Sequence, residues 1–179
     1  MEDQNEQTVT TRAAGLRYGL IGGVIAIAYF VILTVAGIDM TQGIGRWASL
    51  IFTVAIIYFA HKYYKDNGDG YMSIGQGIGI GFWISLVSSF ISSTFTFIYI
   101  KFIDDTFIQQ LLDQSRQSME ESGNGMSDEQ IDQAMEMTAK FMTPGSMFIF
   151  GIIGGLVIGL IVAVIVSLIT QKKNPSEAI

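Results

Sequence analysis

Four stretches of this chain carry no charged side chain at all: Tyr18–Ile38, Trp47–Ala60, Gly70–Ile100 and Phe141–Gln171. A bilayer core of ~30 Å is crossed by roughly 20 apolar residues in a helix rising 1.5 Å per residue, and three of the four stretches reach that length. Charged residues make up 15% of the sequence, against the ~25% usual in soluble domains. Too little polar surface is left over to cover four such segments. The pattern therefore excludes an ordinary soluble enzyme, a nucleic-acid binder and a disordered chain.

The expected fold class is all-α: a four-helix transmembrane bundle with a protruding extracytoplasmic helical hairpin between the third and fourth spans. The spans are expected at about 16–38, 44–61, 74–100 and 144–170, with the acidic hairpin over 101–143. Together they form one membrane domain over 15–173, flanked by a disordered cytoplasmic N-terminus (1–14) and a cytoplasmic tail (174–179). The second span is the shortest, so Arg46 and Lys62 have to snorkel to the interfaces. Thr143-Pro144 reads as an N-cap followed by proline at the first helical position, where its missing N–H costs nothing. The opening Met1-Glu2-Asp3 is acidic and the first apolar run is long, which favours a retained anchor over a cleaved signal peptide.

Basic residues set the expected orientation. Arg12, Arg17, Lys62, Lys65, Lys172 and Lys173 all fall on one face of a four-span topology, whereas Arg46, Lys101, Arg116 and Lys140 are spread over more chain on the other. The positive-inside rule then places both termini in the cytoplasm of a multi-pass inner-membrane protein. The net charge of −6 belongs to one segment. Residues 101–146 set Asp104, Asp105, Asp113, Glu120, Glu121, Asp128, Glu129, Asp132 and Glu136 against Lys101, Arg116 and Lys140.

Within that segment neither Gly nor Pro occurs between Gly81 and Gly123. Ile100, Ile103, Phe107, Leu111 and Leu112 continue a helical pattern past the membrane exit, so one long helix is expected from about Gly75 to about Glu121. Ser122-Gly123-Asn124-Gly125 signals a turn. Ser127-Asp128-Glu129-Gln130 is a capping box that restarts a helix with the apolar stripe Ile131, Ala134, Met135, Thr138, Phe141 and Met142.

Glycines recur every four residues: Gly15, Gly19 and Gly23 on the first span, Gly151, Gly155 and Gly159 on the last, and Gly75/Gly79 and Gly77/Gly81 on the third. Residues four apart share a helix face, and small ones let a second backbone approach. Gly15, Gly19, Gly23, Gly75, Gly79, Gly151, Gly155 and Gly159 are the candidate helix-packing positions. The third span is rich in hydroxyls, and Ser85, Ser89, Ser92 and Thr96 share a face. They either line a small polar path or bond between and along helices.

Catalytic chemistry is not evident. No ionisable residue sits deep in a span, as coupled carriers usually require. The single His61 beside Lys62, Tyr63, Tyr64 and Lys65 fits interfacial packing better than metal binding. Asp66-Asn67-Gly68-Asp69-Gly70 lacks the alternating ligands of a calcium loop. Without Cys there is no thiol chemistry. No catalytic, cofactor-binding or metal site is expected, and the chain reads as a non-enzyme.

The run Lys65-Asp66-Asn67-Gly68-Asp69-Gly70-Tyr71-Met72-Ser73-Ile74-Gly75-Gln76-Gly77, with the apolar residues 79–83 after it, resembles the bacterial family called domain of unknown function 4199. Met142-Thr143-Pro144-Gly145 before the last span and Lys172-Lys173 after it are similar too, and the likeness covers roughly residues 12–173. It implies a small bacterial membrane protein without an established activity, so no site residues are carried over. The expected role is an accessory or scaffold protein acting through helix contacts and the acidic hairpin. Its partners are the lipid bilayer and either a second copy or another membrane protein, with no nucleic acid. The alternative is a small oligomeric channel or facilitator lined by the third-span hydroxyls.

Overall fold

The computed structural model describes residues 9–38, 43–121, 125 and 127–174. Among them six α-helices form and no strand: α1 Thr11–Ala36, α2 Gly43–Asp66, α3 Ile74–Phe102, α4 Phe107–Glu121, α5 Asp128–Phe141 and α6 Pro144–Thr170. The one extended pairing among these residues is an antiparallel bridge between Met72 and Lys172. The chain divides into two compact units, residues 1–92 with 152–179, and residues 93–151.

The first unit is built inside out by the standards of a water-soluble protein. Its core of Ala14, Ile57, Ala60, Met72, Ile80, Ile84, Val162, Ala163 and Val166 is joined by the buried polar residues His61, Ser85, Ser89, Ser167 and Thr170. Large apolar side chains face outward instead, among them Val24, Ile32, Ile51, Ile165 and Ile169. α1, α3 and α6 are long and apolar enough to cross a membrane. This is the arrangement of helices whose solvent is lipid, where exposed apolar surface costs nothing and small or hydroxyl residues provide the contacts.

Local signals fix the helix ends. Thr10 caps α1 by accepting from Ala13 N at 3.1 Å. Residues 11–14, expected to be disordered, are helical, and Ala14 is fully buried. Gly37 closes α1 in the left-handed conformation (φ 65°), with its N–H on Thr34 O and Ile38 N–H on Leu33 O. Ser73 and Gln76 form a capping box at the start of α3: Gln76 N donates to Ser73 Oγ (3.2 Å) and Ser73 N to Gln76 Oε1 (2.7 Å). The anticipated box at α5 is present, with Ser127 N donating to Gln130 Oε1 at 2.9 Å. α6 begins at Pro144, with Thr143 Oγ1 accepting from Ser146 N at 3.2 Å. Only the backbone of Arg46 is described.

In the second unit the single long helix expected from about Gly75 to about Glu121 is broken between α3 and α4. Ile103 N and Asp104 N both turn back to Tyr99 O at 2.9 Å, and Asp104 Oδ1 accepts from Thr106 N (3.0 Å) and Thr106 Oγ1 (2.7 Å). An Asp two residues before a Thr offers the backbone local bonds that compete with helix continuation. The apolar periodicity does not register that competition, and Ile103 is left 64% exposed in the break. Phe107 is buried, its ring 5.8 Å from Tyr99. On α5, Ile131 is buried, Ala134, Met135 and Thr138 are half-buried, and Phe141 is exposed. Arg116 of α4 joins α5 through Asp132 (2.6 Å) and holds Glu120 one turn along its own helix (3.1 Å). Most of the predicted turn, residues 122–124, lies outside the described residues. Gly125 has the positive φ (65°) that suits a turn.

Candidate functional site

α3 packs closely against α1 and α6, and what lets these two neighbours approach it is the absence of side chains. Toward α1, a Cβ on Gly19 would lie 2.8 Å from Val87 Cβ, and one on Gly23 2.8 Å from Ile91 Cβ. Gly15 meets Trp83 in the same way. The Ser88 hydroxyl donates to Gly19 O at 2.9 Å, a side chain-to-backbone bond between helices. Toward α6 within the first unit, Cβ atoms on Gly155 and Gly159 would each stand 2.7 Å from the Cβ of Ser89 and Ser85. In the second unit Gly151 meets Ser93 similarly.

The glycine positions on α3 itself differ from the expected ones. Nothing lies within 4 Å of a Cβ built on Gly75, and Gly79 reaches only Thr11 at 3.9 Å. The close approaches are made by Gly77, against Ser167, and Gly81, against Ala163. Gly77, Gly81, Ser85 and Ser89 follow one another at four-residue steps, so they share the α6-facing stripe. Gly75 and Gly79 lie about 200° round the helix from Gly77 and Gly81.

The proposed hydroxyl lining divides the same way. Ser85 and Ser89 are buried beneath α6 glycines, and their hydroxyls donate along their own helix, Ser85 to Gly81 O (2.7 Å) and Ser89 to Leu86 O (3.3 Å). Ser92 donates to Ser89 O at 3.2 Å and is half-buried, as is Thr96 of the second unit.

Where α2, α3 and α6 of the first unit meet lies a polar knot that the sequence did not announce. His61 is fully buried. Its Nε2 is 3.0 Å from Gly77 O and its Nδ1 2.8 Å from Thr170 Oγ1. A carbonyl only accepts, so Nε2 carries a proton, and when the ring is neutral Nδ1 is the acceptor. The Thr170 hydroxyl also lies 2.8 Å from Val166 O, and its single proton serves one of these two acceptors at a time. Lys65 Nζ donates to Thr170 O at 2.8 Å, capping the C-terminus of α6 with a cation. The charged neighbours of His61 in the sequence suggest an interface instead. Its four-residue spacing from buried Ile57 is the signal that pointed inward.

The same end of the first unit gathers cations on aromatic rings: Arg17 over Tyr63 (4.5 Å), Arg12 over Trp83 (5.2 Å) and Lys172 over Tyr71 (5.3 Å). Asp69, part of the calcium-loop-like run, spends Oδ1 on Tyr71 N at 2.9 Å. Reciprocal backbone bonds of 2.9 Å between Met72 and Lys172 tie the segment before α3 to the segment after α6.

From Arg17 to Lys172 the sequence matches the family described as a protein of unknown function, DUF4199, over residues 17–172. The chain belongs to that family. No curated protein and no solved structure matches it. The DUF4199 match spans the glycine–serine contacts between α3 and α6, the His61 knot and the Met72–Lys172 bridge.

Proposed function

We propose that α1, α2, α3 and α6 each cross the cytoplasmic membrane, that both termini face the cytoplasm, and that α4 and α5 stand outside as an acidic hairpin. In this reading the protein is a non-enzymatic accessory or scaffold component that engages another membrane protein or a second copy. α2 is the most polar of the four. Its 24 residues give about 36 Å of helix, enough to cross with Lys62 and Lys65 at the boundary.

The observation that carries the scaffold reading is the contact of Ser85 and Ser89 with Gly159 and Gly155. Hydroxyls pressed on glycines and bonded to their own helix fill the space that a polar path would need. That weakens the channel alternative and leaves helix faces and the acidic α4–α5 pair as the surfaces a partner would engage.

The chain has no Cys, so single cysteines report topology directly. Gln117→Cys is expected to react with a membrane-impermeant maleimide in right-side-out vesicles, and Lys173→Cys only after permeabilisation. The reverse pattern overturns the orientation. Loss of the scaffold role would show as neither a partner nor self-association after crosslinking in native membranes.

A further inference from the structure

We propose that the first unit carries a binding site for the phosphate headgroup of an anionic glycerophospholipid, in a cleft formed by Lys62, Lys65 and Lys172. The cleft, about 330 Å³, is also lined by Tyr58, Asp66 and Thr170. Lys62 and Lys65 lie one turn apart on α2, and the fold adds Lys172 to them from more than a hundred residues along the chain. Two devices hold it: the Met72–Lys172 bridge fixes the backbone that bears Lys172, and the Lys65 ammonium is anchored on Thr170 O. Among the described residues no carboxylate lies within 4.0 Å of any of the three ammonium groups, whereas Arg116 and Lys140 elsewhere are paired. Three cations against the single Asp66 leave the cleft with charge to be met by an anion.

The surroundings choose the kind of anion. Tyr58 and Phe59 on α2 and Leu168 and Ile169 on α6 are all about half exposed or more, within roughly one helical turn of the lysines. A ligand that fits has an anionic head beside long apolar tails. Lysine-lined clefts at the ends of membrane helices suit anionic headgroups, and Tyr belongs at that depth. A free phosphate would satisfy the cations and leave the apolar flank unused. The inference rests on the membrane-spanning reading but not on which side the termini face.

Native mass spectrometry of the full chain, released from detergent with phosphatidylglycerol or phosphatidylcholine, tests it. At about a factor of five per lysine, Lys62 and Lys172 together contribute roughly a twenty-fivefold preference for phosphatidylglycerol. The double variant Lys62→Gln/Lys172→Gln is expected to lose that contribution, keeping no more than the about fivefold preference that Lys65 supplies, and Lys140→Gln to keep the full preference. Equal retention of the two lipids by the unaltered chain overturns the site, as does a preference that the double variant leaves undiminished. Displacement of phosphatidylglycerol by equimolar inorganic phosphate assigns the cleft to a soluble anion and overturns the lipid assignment. Carbonate extraction separates the two levels of the argument. A chain that washes off membranes fails the membrane reading, whereas one that stays and shows no lipid preference fails only this site.

Discussion

Ser85 of α3 stands directly on Gly159 of α6, so close that a Cβ on the glycine would be 2.7 Å from the serine Cβ. The contact explains how a helix so rich in hydroxyls is accommodated. The serine satisfies its own proton on Gly81 O and offers its small side chain to a neighbour that has none. In lipid, where apolar contact brings no hydrophobic gain, close van der Waals approach of this kind is the main source of helix association.

Gly159→Ala is therefore expected to destabilise the protein by about 1–3 kcal/mol, the usual cost of overpacking a tight contact. Adding Ser85→Gly should recover most of the loss, because it removes the opposing atoms. Gly75→Ala is the contrast: with nothing within 4 Å, it should be neutral or stabilise by up to about 1 kcal/mol through helix propensity. Unfolding in mild detergent, followed by the monodisperse fraction after heating, reads all three. Equal losses at Gly159 and Gly75 would contradict the contact.

His61 joins three helices through one ring. His61→Ala should cost about 1–3 kcal/mol, since two hydrogen bonds are lost and Gly77 O and Thr170 Oγ1 stay buried. Thr170→Val removes one of those bonds and should cost less. The same unfolding assay applies, and a larger loss for Thr170→Val than for His61→Ala would refute the bridging role.

What the sequence made legible was whatever repeats. Uncharged runs located α1, α3 and α6, and four-residue glycine spacing located the α1 and α6 contact faces. Caps at Thr143 and Ser127 located two helix starts. Features made by single side chains in particular places were hidden. The break at Asp104 interrupts an apolar pattern that continues on both sides of it, so periodicity reads straight through. The choice of Gly77 and Gly81 over Gly75 and Gly79 depends on which face of α3 meets α6, and two interleaved repeats look alike until the partner is known. The His61 knot joins residues 61, 77 and 170, whose proximity no local pattern encodes.

Asp104 supplies the bonds that separate α3 from α4. Asp104→Ala should therefore remove the two turn bonds to Thr106, a loss of about 1 kcal/mol, and speed amide exchange at residues 106–110, the start of α4. Exchange within residues 84–98 should stay slow. If residues 103–107 instead become protected, the two helices have fused, and the break owes everything to that one carboxylate.

The α4–α5 pairing combines an exposed ion pair with a buried apolar residue, and the two should respond differently to conditions. The Asp132 hydrogen bond, then that of Glu120, holds the Arg116 guanidinium above its already strongly basic ordinary value. A folded value raised above the unfolded one stabilises at every pH below the unfolded value and is lost only above it. Arg116 itself therefore contributes no pH dependence between pH 6 and 9. Salt should weaken its pairing, because exposed charges are screened within ~10 Å at 0.1 M. Ile131 is 5% exposed, and Ile131→Ala should cost about 2–4 kcal/mol at any salt concentration. Amide exchange on α5 measured at low and high salt checks both parts. Arg116→Ala should remove most of the salt response, and Ile131→Ala should loosen the helix while leaving that response in place. A salt response that persists in Arg116→Ala would move the electrostatic tie to the other acids of these two helices.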